Sequence, residues 1–194
     1  MIADELDRMS HGGAWHGPAI DEALDGVSAA DAGARPIPGA HSIWEIVLHM
    51  TAWAGEVGRR LEQDARPLTG EADWPVVAGR TESDWEDARS GLSDAHRRLR
   101  VAIREFPPGR LPERVKGTDN NGSPDSFYVM LHGLAQHDAY HTGQISLLKK
   151  AMADSRWAHY LSSSVGHQRL HQPVALLLTS RAIGRLRLVP RRIR

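Results

Sequence analysis

Leu131-His132-Gly133-Leu134-Ala135-Gln136-His137-Asp138-Ala139-Tyr140-His141-Thr142-Gly143-Gln144-Ile145 is the stretch on which the reading of the whole chain turns. Leu134, His137, His141 and Ile145 recur at three- and four-residue steps, the period of an amphipathic helix. Side chains four apart on a helix sit one above the other, so both imidazoles point where the apolar stripe points, into a core. Two unpaired imidazoles there would each cost about 1–3 kcal/mol. Hydrogen bonds can remove that cost. So can one shared divalent cation, since neutral imidazole is a common metal ligand that binds zinc at about 2.0–2.1 Å. The pair alone leaves both possibilities open.

The same periodicity extends outward. Phe127, Met130, Leu131, Leu148 and Met152 continue the stripe, and Ser123-Pro124-Asp125 offers a cap with proline at the first helical position. Upstream, Trp85, Ala88, Leu92, Ala95, Leu99, Ile103 and Phe106 mark another helix, opened by Thr81-Glu82-Ser83-Asp84 and stopped by Pro107-Pro108-Gly109. An earlier helix starts at Ser42-Ile43-Trp44-Glu45, which has capping-box spacing, and runs to about Gln63, where Arg66-Pro67 ends it. A first helical stretch spans Ala3 to Leu24, interrupted by Gly12, Gly13 and Gly17-Pro18, with Pro18 placed to open its second half. Residues 28–40 are small and rich in glycine and proline and read as a loop. No stretch alternates with period two for long enough to be a strand. The expected fold class is all-α, a four-helix bundle.

A second line of histidine comes from the helix that begins at Ser42. His49 lies on the line Ile46, His49, Trp53 and faces inward with them. It is the best candidate for a third ligand beside His137 and His141. Three histidines from two helices would leave coordination positions open, as catalytic rather than structural sites do.

Composition narrows the chemistry. The 194 residues carry 24 basic and 24 acidic side chains, so no global charge calls for a nucleic-acid partner. The absence of cysteine excludes a disulfide scaffold, a thiol nucleophile and thiolate ligands, and fits a cytoplasmic protein. No apolar run is long enough for a membrane span, and the acidic start Met1-Ile2-Ala3-Asp4-Glu5 is unlike a signal peptide. Charge is uneven along the chain. After Lys150 there are eight arginines and one acid, Asp154, so we divide the chain into a bundle domain, residues 1–152, and an arginine-rich basic extension, residues 153–194. Val174-Ala175-Leu176-Leu177-Leu178 with its spaced arginines reads as a weakly ordered or basic amphipathic segment, to which no function is assigned.

His41-Ser42-Ile43-Trp44-Glu45-Ile46-Val47-Leu48-His49-Met50-Thr51-Ala52-Trp53 resembles the second-helix signature of the DinB/YfiT-like metalloenzymes. Leu131 to Ile145 resembles their fourth-helix signature, and Gly13-Ala14-Trp15-His16-Gly17-Pro18 resembles the start of many members. The resemblance spans roughly residues 10–152. It implies a bundle of up-down-down-up topology, frequent homodimers, and a divalent metal ion, nickel or zinc, at the positions matching His49, His137 and His141. Characterised relatives include transferases that use a low-molecular-weight thiol, a mycothiol-dependent isomerase and enzymes described loosely as hydrolases.

The expected function is a divalent-metal-dependent transferase that activates a small thiol. The alternatives are a hydrolase using metal-bound water and a non-catalytic metal-binding stress protein. No general base is evident. Glu45, Gln144 and Tyr140 could touch the ligands or a substrate. Glu45 is explained equally by its cap, and Asp138, about 100° around the helix from His137, should point away from the ion. Trp44 and Trp53 could wall a pocket or fill the core, and His41 flanks the site or simply opens its helix. His16 and His132 read as structural or surface residues. His137-Asp138-Ala139-Tyr140-His141 is one residue type away from the zinc-protease helix, but aspartate is a methylene too short for that chemistry.

Overall fold

The computed structural model describes residues 2–62, 68–115 and 126–168, with side chains as far as Asp154. The expected helix stop at Gln63 to Pro67, the cap at Ser123-Pro124-Asp125 and the apolar run at 174–178 lie outside the described residues. Contacts divide the chain into two units, Met1–Ala158 and His159–Arg194. The first is described here; in the second, the backbone is helical through Gln168.

The regular structure is all-α, as expected: α1 (Ile2–His11), α2 (Ile20–Leu24), α3 (Ala29–Gly33), α4 (Ile43–Leu61), α5 (Glu82–Glu105) and α6 (Phe127–Gln168). Among the described residues no strand forms; a lone bridge pairs Arg114 with Ser126. No described helix is long and apolar enough to cross a membrane.

The two long middle helices begin where their side chains can satisfy free N–H groups. At α4, Ser42 Oγ accepts from the Glu45 N–H at 3.2 Å, and Glu45 Oε2 accepts from the Ser42 N–H at 2.8 Å. Thr81 and Asp84 repeat the exchange at α5. Each helix then buries the stripe its spacing marks. Ile43, Ile46, Val47, Met50, Ala54 and Val57 of α4 meet Trp85, Leu92, Ala95 and Leu99 of α5 in one core, which Phe127, Leu131, Leu134, Ile145 and Leu148 of α6 complete. Trp85 is fully buried, and its indole N–H donates to the Val27 carbonyl at 2.7 Å. That bond ties the segment between α2 and α3 to the first turn of α5.

Two expectations need correction. The segment 28–40 is not loop throughout, because Ala29–Gly33 forms a helical turn. Its Ser28 hydroxyl accepts from the Asp31 N–H, and the Ala29 N–H is taken by Glu82 Oε2 at 2.9 Å, so contacts override the weak propensity of its glycine. Pro18 stands before the Ala19 cap of α2 rather than in its first turn. The last helix, whose stripe the spacing marks as far as Met152, continues to Gln168.

Replacing Trp85 with phenylalanine strands the buried Val27 carbonyl. Urea unfolding should show a loss of about 1–3 kcal/mol, with the helical spectrum retained below the transition.

Candidate metal centre

His49 projects from the second turn of α4, and His137 and His141 from successive turns of α6. The structure brings the three together: one ring nitrogen from each lies within 4.8 Å of the others. His49 and His141 are buried, whereas the His137 side chain is 25% exposed, so the cluster opens on its side. Among the described residues, no fourth histidine, aspartate or glutamate joins the group.

Each ring is held by its Nδ1 edge. His49 Nδ1–H donates to the Asp73 backbone carbonyl at 2.7 Å, with Asp73 Oδ1 also 3.2 Å away. His141 Nδ1–H donates to Gln144 Oε1 at 2.7 Å. Asp138 Oδ1 lies 3.3 Å from His137 Nδ1. A neutral imidazole whose Nδ1 carries the proton has only a lone pair on Nε2. His49 and His141 therefore turn Nε2 lone pairs into the cluster, and His137 Nε2 stands 2.9 Å from His49 Nε2, within hydrogen-bond distance. A proton on His137 Nε2, or a cation between the rings, satisfies the His49 lone pair. Four-coordinate zinc with 2.0–2.1 Å bonds would set its nitrogens about 3.3 Å apart, so small ring movements would seat it. The donor set and its geometry fit a divalent cation with positions left open.

Electrostatics favour the same protonation state. Burial is the main force lowering the His49 pKa, with nearby His137 acting the same way, although the Asp73 carbonyl opposes both. His141 is lowered to about 4, first by burial and then by the charge of neighbouring His137.

The remaining candidates separate clearly. Gln144 is the hydrogen-bond partner of a clustered ring. Glu45 serves its helix cap, pairs with Arg35, and sits 3.7 Å from His41. Tyr140 is 65% exposed, its ring lying edge-on 5.2 Å from that of His141. Trp44 belongs to the core, tilted against Trp85, whereas Trp53 is half-buried with its ring 5.8 Å from His137. His132 pairs with Glu5 and Tyr128 outside the cluster.

Asp138 corrects the sequence reading in part. The step around the helix does carry it off the Nε2 side, but into the bundle, where it is fully buried and touches the His137 ring from behind. Its Oδ2 lies 3.2 Å from Nε2 of buried His96 on α5, close enough for charge attraction but misaligned for a hydrogen bond. Burial alone would raise the Asp138 pKa; His96 and His137 together more than offset it and hold the carboxyl below its usual range.

Sequence reasoning missed His96, Asp73 and Trp74. The last two belong to the connection between α4 and α5, where Gly70–Ala72 forms a tight turn. Trp74 stacks on His49 with ring centres 3.9 Å apart, and its other face stacks on His41 at 3.6 Å. Trp53 Nε1–H donates to Asp73 Oδ1 at 2.8 Å. A tryptophan inside a polar connection was the available signal, because so large an apolar surface rarely stays in water.

His137→Ala and His141→Ala should each abolish stoichiometric zinc or nickel binding, read by elemental analysis of untagged protein, while the helical spectrum persists. Gln144→Ala should keep the site but weaken metal affinity by about 10–100-fold, read by chelator competition. Glu45→Ala should leave metal content unchanged. A pH effect follows for metal-free protein. Unfolded histidine titrates near 6.5 and folded His141 at about 4, so between these values the unfolded chain binds more protons. Stability should therefore fall as pH drops through that window, visible as a declining melting temperature.

No curated protein and no solved structure matches the chain. The family model of the DinB superfamily does, over residues 14–145, a span that takes in His49, His137 and His141 and more than half of the sequence. On the strength of that match, the chain belongs to the DinB superfamily.

Proposed function

We propose that this protein is a divalent-metal-dependent enzyme that holds zinc or nickel through His49, His137 and His141 and transfers a low-molecular-weight thiol to an electrophile. The observation that carries the reading is the convergence of one ring nitrogen from each of the three histidines, open to one side at His137. A cation bound there would supply the positive charge that favours the deprotonated form of a thiol or of water.

The chain's own groups support the thiol over water. The carboxylates that touch the rings, Asp73 and Asp138, lie on their Nδ1 edges, turned from the side where a substrate would enter. They orient rings and are badly placed to draw a proton from an incoming nucleophile. Water attack gains from a positioned base. A thiol needs less help, because its ordinary pKa is about 8.5 and a nearby cation lowers it further. Gln144 and the Asp73 carbonyl keep His141 and His49 in the tautomer that faces the nucleophile, and Trp74 shields one face of His49 from solvent. The family resemblance extends this reading to a homodimer, and the lack of cysteine fits a cytoplasmic one.

The test is thiol consumption. Zinc- or nickel-loaded protein should deplete glutathione, cysteine, bacillithiol or mycothiol in the presence of a bimane or epoxide electrophile. Chelation or His137→Ala should return the rate to background. Ester hydrolysis that depends on the metal, without thiol depletion, would replace this reading with the hydrolase.

A further inference from the structure

A cavity of ≈270 Å³ lies against the open side of His137, walled by Trp53 and Val57 of α4 and by Met130 and Leu134 of α6. Its size is close to the lower end for small-molecule pockets, about 300 Å³. Metal binding does not explain what sits at its edge. Among the residues lining it, Arg60 is the one with a permanent charge.

Arg60 is an unusual residue to place there. It is 8% exposed, and its Nε donates to Glu56 Oε1 at 2.8 Å. The fully buried Glu56 also takes Arg59 on its other oxygen, at 3.1 and 2.8 Å, so two guanidiniums share this carboxylate. The Arg60 guanidinium carbon lies 5.5 Å from the centre of the Trp53 ring, within cation–π range. Among the described residues, neither Nη of Arg60 has a hydrogen-bond partner. A guanidinium held on one edge by Glu56, lining an apolar space with no described partner on either Nη, is set to pair with an anion.

We propose that this cavity recognises the substrate by a carboxylate. Arg60 takes the planar carboxylate through its free Nη donors, and an apolar body lies between Trp53 and Leu134. The reacting end then points to His137. The substrate class is a small apolar carboxylic acid carrying its electrophilic group at the opposite end. Only the choice of reacting end rests on the proposed function above; the binding of the acid does not.

The probes are 3-phenylpropanoate and its uncharged counterpart 3-phenylpropanamide, titrated calorimetrically into full-length protein, both zinc-loaded and chelator-treated. The acid should bind about tenfold tighter or more than the amide in both forms, as expected for a charge-assisted pair. Arg60→Met should remove the preference, and Trp53→Leu should weaken both probes. Arg60→Lys, which keeps the charge but not the fork, should retain part of it and serves if the methionine variant does not fold. Equal binding of acid and amide, or no binding of either, overturns the proposal. So does a preference that survives Arg60→Met, and so does one that disappears on chelation, which would assign the carboxylate to the metal. Failure of thiol turnover leaves this readout intact, so the two readings fall separately.

Discussion

Two ring nitrogens from different helices, Nε2 of His49 and Nε2 of His137, face one another at 2.9 Å. This is the constraint around which the rest of the bundle's polar interior is arranged. The His49 lone pair there needs a positive partner, either a proton carried by His137 or a cation. Asp73, Gln144 and Asp138 all act on the outer edges of the rings and so preserve the lone pairs inside. Burial adds to this by keeping His49 and His141 uncharged. The outer-edge partners and burial thus keep the Nε2 lone pairs of His49 and His141 available to a positive centre.

The helices and the three clustered histidines were legible because they obey local rules. Ser42 with Glu45, and Thr81 with Asp84, announce helix starts through exchanges completed within four residues. His137 and His141 share a face by helical spacing alone, and His49 follows from the stripe of α4. The residues that orient them were legible only where the partner is equally near in the chain. Gln144 lies one turn from His141 and was found. Asp73 is 24 residues from His49, and nothing in the sequence sets that distance. His96 comes from a third helix whose spacing marks its apolar residues and says nothing of the one histidine among them. Asp138 misled for a subtler reason. A helix surrounded by neighbours has more than one inner face, so a residue pointing away from the cluster can still point into the core.

The connection between α4 and α5 does more than join helices. Through Trp74 it lays an indole between His41 and His49, and through Asp73 it ties Trp53 to the same turn. Aromatic surface therefore closes the cluster on that side, while the flank next to His137 is left for the cavity with Arg60. The fold's asymmetry of access comes from this connection as much as from the helices.

His49 takes its orientation from a main-chain oxygen. Every amino acid supplies that oxygen, so no exchange of side chain at position 73 can take it away. Only a change in the path of the backbone can, such as an insertion or deletion between α4 and α5. Divergence among related chains at this histidine is then expected to be written in the length of the connection rather than in the identity of any residue within it.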